Sequence, residues 1–456
     1  RNPALWTGEA IFGAVSLMLR DFAPRDERMV SLAARLEAVP AFLMTLRGEL
    51  STAVPARWTA RAQRECRVAV QLFGAGLDKW LELEHGEPAR LALVRAAATR
   101  AQAAFYECDA WLSTRPPATE SEFRAGDELF GVLLSRGHLC HKPAADLRRD
   151  AIDAMGPAQT RLASLARTAA ASWSEVEQTL AADTPSPDDY LATFGQTWDA
   201  CRALSAERDL VTWPVWPIQY VPIPEWAREA APHLYWLFYR SPAPFDTYAG
   251  HQYVVQPGWS RSVIKLNHVV HHGALGHHVQ NWHATHHSHT RIGVVAAVDC
   301  ASRIGMFLGG SMAEGWACYA TELMDEYGFL SPLERAAEQQ SRVRMLARAI
   351  VDISFHAGRM SEAQAVKYYV DEVGMSADAA AAEFTKNSMF PCTALMYWLG
   401  TQGILDLREK LKARRGEAFT LKSFHDELLS YGSVPVPFVA RLMTLERDHL
   451  TKADTV

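Results

Sequence analysis

Apolar residues recur every three or four positions over most of the first two hundred residues. The stretch LAARLEAVPAFLMTLRGEL, residues 32–50, shows this spacing. Because an α-helix has 3.6 residues per turn, such positions share one helix face, which can pack on a core. The pattern predicts amphipathic helices over residues 1–205, which we interpret as a helical scaffold lobe.

The pattern changes between Trp213 and Gly258, where eight prolines lie among many aromatic residues. A long helix cannot continue through this density, because proline lacks the amide donor and restricts the residue before it. We predict irregular structure over residues 206–260, with a short hairpin around YVVQPGW (253–259). This segment forms a domain junction or one wall of a cleft. Its aromatic residues line a substrate pocket or, as we favour, anchor the segment to the core.

Helical spacing returns after Arg261, with two clear helix starts. Ser331 is followed three positions later by Glu334, and Ser361 by Gln364, which is the capping-box pattern. We therefore predict a mostly α-helical, two-lobed single domain with a central cleft. Its segments are the scaffold lobe 1–205, the cleft wall 206–260 and a second helical lobe 261–456, which carries the candidate chemistry.

Composition narrows the possible functions. The 456 residues include 46 Lys and Arg against 52 Asp and Glu, for a net charge of −6. This balance argues against a nucleic-acid partner, because such binding depends on clustered positive charge. A hydrophobic content of 49% indicates a globular chain with a large core.

The seven cysteines are scattered and form no C-x-x-C pair. This usage favours a reducing compartment. The chain has no unbroken apolar run of about 18 residues. Its first residues also lack the basic region followed by an apolar region that is typical of a signal peptide. We therefore expect no membrane partner. These features together predict a cytoplasmic protein. The sequence begins with Arg1, so a leading segment can have been removed.

Nine of the 17 histidines lie within 22 residues. Neutral imidazole is a common ligand for zinc and for neighbouring transition metals, so the cluster indicates a metal site. The cluster consists of His268, His271, His272, His277, His278, His283, His286, His287 and His289.

Several ligand pairs are possible if the segment is helical, because residues one or two turns apart share a face. These pairs are His268 with His272, His283 with His287, and His271 with His278. Not all nine histidines can bind one ion. The segment from His283 to His289 is polar, and we predict that it is an exposed turn outside the site.

A second signal lies in MAEGWACYATELMDEYG, residues 312–328, where Glu314 is flanked by small and aromatic residues on a predicted helix. Zinc enzymes often complete two histidines from one helix with a carboxylate from a later helix, and water takes the fourth position. Glu314 is therefore a candidate third ligand. The alternative is an ordinary carboxylate on a helix surface.

Five sequence blocks resemble the bacterial family called domain of unknown function 885, over roughly residues 1–450. The family is regarded as a group of zinc metallopeptidases related to the HExxH gluzincins. Its blocks read approximately HExxPGHH, EGWxxYxE, RxxVD with a following His, PGQxxxY and FHDxLL. The matching segments here are residues 271–278, 314–319, 348–352 with His356, 391–397 and 424–426.

The resemblance implies a divalent metal, zinc first, held by His271, His277 and Glu314. It also implies that a break at Leu275-Gly276 reshapes the helix, so that a six-residue spacing can replace the usual four. The implied activity is hydrolysis of a peptide-like or other small substrate.

The departures from the family pattern gather at this implied site. His272 replaces the Glu that serves as general base in HExxH enzymes. Further changes include Leu275 for Pro, Thr321 for Glu and Thr393 for Gln. An inactive relative is therefore one interpretation of the sequence.

Two roles are open for His272. It can act as a base, or it can join the metal as a further ligand, which favours iron, manganese or copper chemistry. Tyr397 is a candidate oxyanion donor, although a buried structural tyrosine is the simpler interpretation. Lys386 can bind a substrate carboxylate or remain a solvated helix lysine.

Arg348, Asp352 and His356 are spaced four residues apart, so they share a helix face and are predicted to form a buried supporting network. The leading hypothesis is a metal-dependent hydrolase for a small amide, peptide-like or ester substrate. One alternative is a lyase or oxygenase acting on a small metabolite. The other is a catalytically inert binding protein on the same scaffold.

Overall fold

The computed structural model describes residues 2–19, 22–50, 52–84, 87–233, 251–295 and 304–453. The first-half helices are α1 (Pro3–Val15), α2 (Arg25–Glu49), α3 (Ala56–Gln71), α4 (Leu77–Glu84), α5 (Pro88–Leu112), α6 (Glu120–Phe123), α7 (Gly126–Val132), α8 (Ala144–Ala169), α9 (Trp173–Ala182) and α10 (Tyr190–Glu207). The later helices are α11 (Arg261–Val263), α12 (His277–His286), α13 (Arg291–Val295), α14 (Ile304–Glu326), α15 (Pro332–His356), α16 (Glu362–Val373), α17 (Ala377–Met389), α18 (Met396–Arg415), α19 (Leu421–Leu429) and α20 (Val436–Ala453).

Shorter elements connect these helices. Three segments are π-helical, namely Leu72–Gly76, Leu133–Gly137 and Ile264–Gly273, and the last continues directly from α11. Single 3-10 turns cover Glu225–Ala227, Ala231–His233 and Gly416–Ala418. The strands are β1 (Ile218–Pro222) and β2 (His251–Val255). The prediction of a mostly α-helical fold is confirmed.

Both predicted capping boxes are present. The Ser331 hydroxyl accepts from the Glu334 amide at 3.3 Å, and the Glu334 carboxylate accepts from the Ser331 amide at 2.8 Å. Ser361 and Gln364 make the same reciprocal pair at 3.2 and 2.8 Å. Since each box satisfies amides that the first helical turn leaves free, the two boxes mark the starts of α15 and α16.

The proline-rich segment contains no long helix among its described residues, as predicted, but the expected hairpin is wrong. β2 pairs in parallel with β1, with Ile218 opposite His251 and Pro222 opposite Val255. A parallel pair needs a long connection between its strands, whereas a hairpin joins neighbouring antiparallel strands. Pro242 and Pro244 lie outside the described residues.

The three largest buried apolar clusters hold most of the helices together. One joins α1 to α5, and a second surrounds the π-helical segment Ile264–Gly273 with α14 and α18 to α20. The third joins α7 and α8 to α15, α16 and α17. Helices of the predicted scaffold lobe therefore share a core with helices of the second lobe, since α8 packs along α15 and α10 packs on the π-helical segment.

α2 has the length and hydropathy of a helix that could cross a membrane, with a mean hydropathy of 1.5 in its most apolar window. Its buried residues Leu32, Leu36 and Leu43 nevertheless belong to the first core cluster, and the helix packs along α5. In this structure, α2 is therefore a core helix of the first cluster.

Candidate metal centre

The backbone breaks between the π-helical segment and α12, and this break brings two histidines together. Ala274 and Gly276 have non-helical backbone angles, and α12 begins at His277. A Cβ atom on Gly276 would lie 1.9 Å from the carbonyl oxygen of His271, so this close approach requires glycine. As a result, the ring centroids of His271 and His277 are 4.9 Å apart despite their six-residue spacing.

Glu314 on α14 lies against both imidazoles. Its Oε2 atom is 3.3 Å from Nε2 of His271 and 3.6 Å from Nε2 of His277. Ligand bonds of 2.0–2.1 Å in a tetrahedral zinc site separate neighbouring ligand atoms by about 3.4 Å. The three predicted ligands therefore lie together with a spacing that suits a single small cation.

His272 lies at the same place and adds a third imidazole. One ring nitrogen from each of His271, His272 and His277 lies within 4.8 Å of the others. The Nδ1 atom of His272 is 2.6 Å from the Asn267 carbonyl oxygen. This hydrogen bond assigns the proton of a neutral ring to Nδ1, so Nε2 is left with a free lone pair.

Two overlapping donor sets therefore share His271 and His277. Glu314 completes one set and the His272 imidazole completes the other. Catalytic zinc sites use both kinds of donor set, either two imidazoles with one carboxylate or three imidazoles. The geometry thus allows His272 either to bind a metal or to stand beside it.

The ionisation states suit metal ligation. Burial lowers the pKa of His271, and burial with the neighbouring imidazoles holds the pKa of His272 well below its usual range. Burial alone would raise the pKa of Glu314, but its contacts with His271 and His277 outweigh burial and hold that pKa well below its usual range. Neutral imidazoles and an ionised carboxylate are the forms that bind metal.

The donor cluster opens into a cavity of about 420 Å³. One face of each of three helices lines it, and Tyr397 of α18 closes one side. The lining comprises Ser262, Val263, Leu266, Asn267, His271 and His272; Glu314, Cys318 and Thr321; and Ala337, Glu338, Ser341, Arg344, Met345 and Arg348. A cavity of this volume falls in the range of small-molecule sites.

Tyr397 connects the donor cluster to two basic side chains, Lys386 and Arg348. Its hydroxyl donates to Oε1 of Glu314 at 3.2 Å and accepts from Nζ of Lys386 at 3.3 Å. The guanidinium of Arg348 stacks over the Tyr397 ring, 4.7 Å from its centroid. Lys386 thus acts on the site through Tyr397 and does not itself line the cavity among the described residues.

The network predicted for α15 forms in part: Asp352 and His356 are buried, with Oδ1 and Nε2 3.7 Å apart, whereas Arg348 is partly buried. Each of the three also binds a partner of its own. Arg348 donates two hydrogen bonds of 2.8 Å to the Glu383 carboxylate. Asp352 accepts from the amides of Cys392 and Leu395, each at 3.1 Å, in the turn before α18. His356 accepts from the amide of Ala125 at 3.1 Å. This face of α15 therefore binds three other segments of the chain, at Glu383, at the turn before α18 and at Ala125. Asp352 supports the turn that leads to Tyr397.

His268 and His278, the alternative ligands, have other partners. Nδ1 of His268 is 2.6 Å from the Tyr253 hydroxyl, and its ring stacks on Trp259 with centroids 3.4 Å apart. Nε2 of His278 is 3.2 Å from the carbonyl oxygen of Trp216. These contacts direct both imidazoles toward the proline-rich segment.

The prediction that residues 283–289 form an exposed turn is wrong for His283. This residue lies on α12, is only 2% exposed, and places Nε2 2.9 Å from the carbonyl oxygen of Thr212. Local polarity could not reveal this partner, because Thr212 lies far away in the sequence. His286, His287 and His289 are exposed, as predicted.

Sequence reasoning missed two ionisable residues of the cavity, Glu338 and Arg344. Both lie on the α15 face that also carries Arg348, and Arg344 precedes Arg348 by one helical turn. Helical spacing from Arg348 could have indicated both. Burial raises the pKa of Glu338 to about 8, so its carboxyl group is mostly protonated at neutral pH.

Comparison with known proteins places the chain in a bacterial family. The family described as "Bacterial protein of unknown function (DUF885)" matches residues 4–443. No curated protein matches the chain.

Two solved structures share the fold. A "putative lipoprotein of unknown function" from Shewanella oneidensis is 23% identical, with a TM-score of 0.72 over 97% of this chain and 82% of that one. A "putative lipoprotein" from Colwellia psychrerythraea is 17% identical, with a TM-score of 0.74 over 95% of this chain and 78% of that one.

The prediction of a cytoplasmic protein is contradicted by these comparisons, because both similar structures carry the description of lipoproteins. The prediction relied on the scattered cysteines and on the lack of a long apolar run and of a signal-like start in the given sequence. The six cysteines in the described residues are all free and buried, while Cys300 lies outside those residues. A buried thiol is protected from oxidation in any compartment, so free cysteines are a poor guide to location. Because the family match spans nearly the whole chain, this protein belongs to the bacterial DUF885 family.

Proposed function

We propose that the protein is a metal-dependent hydrolase that cleaves a small amide, peptide-like or ester substrate. The observation that carries this proposal is the position of the Glu314 carboxylate, 3.3 and 3.6 Å from the His271 and His277 nitrogens, at the wall of a 420 Å³ cavity. Two imidazoles, one carboxylate and an adjoining cavity are the parts of a catalytic zinc site that leaves one position open.

His271, His277 and Glu314 would hold one divalent ion, with zinc as the first choice for this nitrogen and oxygen donor set. The ion, when bound, supplies a Lewis acid and lowers the pKa of water. The protein would contribute the orientation of the ligand side chains. Tyr397 donates to the second oxygen of Glu314 and so fixes the orientation of that carboxylate.

His272 would take the role that Glu has in the HExxH pattern. Its Nδ1 is committed to the Asn267 carbonyl oxygen, so Nε2 can accept a proton from the attacking water. This hydrogen bond also fixes the ring plane. A histidine base thus replaces the carboxylate, and the His272 pKa, held well below its usual range, makes it a weaker base than an ordinary histidine.

Tyr397 would stabilise the oxyanion that develops when water attacks the substrate carbonyl, by turning its single hydroxyl proton from Oε1 of Glu314 to that oxyanion. Its hydroxyl borders the cavity, and Lys386 donates to the same oxygen at 3.3 Å. The positive charge of Lys386 beside the ring favours a hydroxyl that donates strongly to a negative oxygen.

A second candidate function follows if His272 is itself a ligand. The three imidazole nitrogens that lie within 4.8 Å of one another support this alternative. A nitrogen-rich set of this kind suits iron, manganese or copper, and with them a lyase or oxygenase acting on a small metabolite. A coloured or redox-active metal in the purified protein would favour this alternative over zinc-dependent hydrolysis.

We also infer that the protein works outside the cytoplasm, because the two similar structures are described as lipoproteins. Fractionation of cells that express the natural gene tests this inference. We expect the protein in the extracytoplasmic or membrane fraction, and recovery with cytoplasmic markers would contradict it.

Elemental analysis of the untagged protein tests the metal centre directly. We expect about one zinc per chain, together with hydrolysis of benzyloxycarbonyl-Gly-Phe or of a simple aryl ester. His271→Ala should lose both the metal and the turnover. His286→Gln is the matched control, since His286 belongs to the same cluster but is exposed, and it should retain both. Full metal content in His271→Ala would contradict the proposed ligand set.

A further inference from the structure

The cavity next to the donor cluster contains two arginines with different charge environments. Arg344 and Arg348 lie one turn apart on the same face of α15, and both line the cavity. The Arg348 guanidinium donates from Nε and Nη2 to the two carboxylate oxygens of Glu383, each at 2.8 Å. This bidentate pair also lowers the pKa of Glu383 to about 2, although burial alone would raise it. Arg348 is therefore a neutralised structural cation.

Arg344 has no such partner. It is partly buried, and among the residues that the structure describes it makes no hydrogen bond or ion pair within 4.0 Å. Burial and the neighbouring Arg348 both lower its pKa, which reflects the cost of holding a second cation at this place. A buried charge is normally paired, because desolvation without a counter-ion is strongly unfavourable.

The carboxylates near Arg344 are already committed elsewhere. Glu383 binds Arg348, and Glu314 contacts two imidazoles and the Tyr397 hydroxyl. Glu338 also lines the cavity, but burial raises its pKa to about 8, so it is mostly neutral at neutral pH. Among the described residues, the cavity wall thus holds a guanidinium that forms no ion pair of its own, and Glu383, which binds Arg348, offsets its charge only at longer range.

The position of Arg344 relative to the donor cluster is set by helix geometry. α14 and α15 follow each other along the chain. Cys318 lies one turn after Glu314 on α14, and Arg344 lies one turn before Arg348 on α15. Glu314 and Arg348 are the residues of these helices that face the donor cluster. The four residues from Arg344 to Arg348 span roughly 6 Å along the helix. In a peptide, the terminal carboxylate lies one residue, about 3.8 Å between Cα atoms, beyond the last peptide bond. A bond placed at the donor cluster would bring that carboxylate close to Arg344.

We propose that Arg344 binds a carboxylate of the substrate, so that the site selects amide or ester bonds that lie next to a free carboxylate, such as the last bond of a peptide. This inference rests on the proposed hydrolytic function and names its substrate class. A planar guanidinium matches a carboxylate through two parallel hydrogen bonds, which gives both affinity and orientation. Arg344 is then a specificity residue, since it touches the substrate away from the reacting atoms.

Binding of three probes to the zinc-loaded protein tests this proposal by calorimetry. The probes are benzyloxycarbonyl-Gly-Phe with a free carboxylate, the same compound as its C-terminal amide, and benzyloxycarbonyl-Gly-Asp amide, whose carboxylate is on a side chain. We expect the free terminal acid to bind about tenfold or more tightly than its amide, as for a charge-assisted pair. Equal affinities for the acid and the amide would overturn the proposal, and a preference for the Asp amide would place the recognised carboxylate on a side chain.

The variant Arg344→Met should remove the preference for the acid without reducing thermal stability, because it deletes an unpaired buried charge. Arg344→Lys should retain part of the preference and provides a second variant if the Met form folds poorly. Arg335→Met is the matched control, since Arg335 lies on the same helix but pairs with Asp325 at 2.8 Å outside this cavity. An unchanged preference in Arg344→Met would overturn the proposal.

The same probes separate this proposal from the hydrolytic one. If the protein binds the acid through Arg344 but cleaves none of the probes, the hydrolytic function fails and carboxylate recognition stands. If the protein cleaves acid and amide equally well, and Arg344→Met does so too, the hydrolytic function stands and carboxylate recognition fails.

Discussion

Gly315 on α14 meets Gly400 on α18 backbone to backbone. A Cβ atom added to Gly315 would lie 2.5 Å from the Cα atom of Gly400, and one added to Gly400 would lie 1.9 Å from the carbonyl oxygen of Ser311. Glu314 is the neighbour of the first glycine, and Tyr397 lies three residues before the second. This contact therefore sets how closely the carboxylate and the phenol approach each other.

Gly400→Ala should push α14 and α18 apart, because the added methyl group meets backbone atoms that cannot rotate away. Overpacking of this kind costs about 1–3 kcal/mol in the free energy of unfolding. We expect weaker metal binding as well. Gly195→Ala in α10 is the control, since its Cβ meets nothing within 4 Å and should stabilise the fold by about 0.4–1 kcal/mol. Urea unfolding and metal titration check both variants.

His272→Glu restores the residue of the HExxH pattern. If His272 is the base, this variant should keep its metal and should preserve or raise peptidase activity. His272→Gln removes the base but remains polar, so it should keep the metal and lose about 10²- to 10⁴-fold in kcat. Loss of the metal in both variants would show instead that residue 272 is a ligand.

Tyr397→Phe removes the candidate oxyanion donor. We expect kcat to fall by about 10²- to 10³-fold with little change in metal content. Tyr369→Phe is the matched control, because the buried Tyr369 hydroxyl is bonded to Asn387 and does not line the cavity. Unchanged kcat in Tyr397→Phe would leave Tyr397 with a structural role alone.

A buried histidine outside the site predicts a pH dependence of stability. Burial lowers the pKa of His138 to about 4, while its side chain lies 2.7 Å from the carbonyl oxygen of Cys392. In the unfolded chain this group takes up a proton below about pH 6.5, so the neutral folded form loses relative stability as pH falls from 6.5 toward 4. His138→Gln should reduce the loss of unfolding free energy between pH 7 and pH 5 by about 2 kcal/mol. Equal losses in the variant and the wild type, measured by urea unfolding, would contradict this account.

Features set by nearby residues could be predicted from the sequence. The capping boxes at Ser331 and Ser361 depend on groups three positions apart, and the structure has both. The helical scaffold follows from periodic apolar positions, whose packing partner does not need to be known. Grouping His271, His277 and Glu314 required family resemblance, since the break at Ala274 and Gly276 is not evident from residue spacing.

Features that depend on distant partners were missed or wrong. The hairpin prediction for β2 is wrong because its partner β1 precedes it by a long connection, which local sequence does not reveal. The prediction of an exposed His283 is wrong because its partner, Thr212, is remote in sequence. Helical spacing from Arg348 could place Arg344 in the cavity, but no local pattern shows that Arg344 forms no ion pair among the described residues.

The break at Ala274 and Gly276 has a further consequence for the molecule as a whole. It divides the donors among the end of one helix, the start of the next and the middle of α14, so a single cation would act as a cross-link between elements far apart in the chain. Removal of the metal by a chelator would then destabilise the region around α12 selectively. Amide hydrogens of α12 would exchange faster with solvent, while those of α2 and α5, which belong to a separate core cluster, would keep their rates.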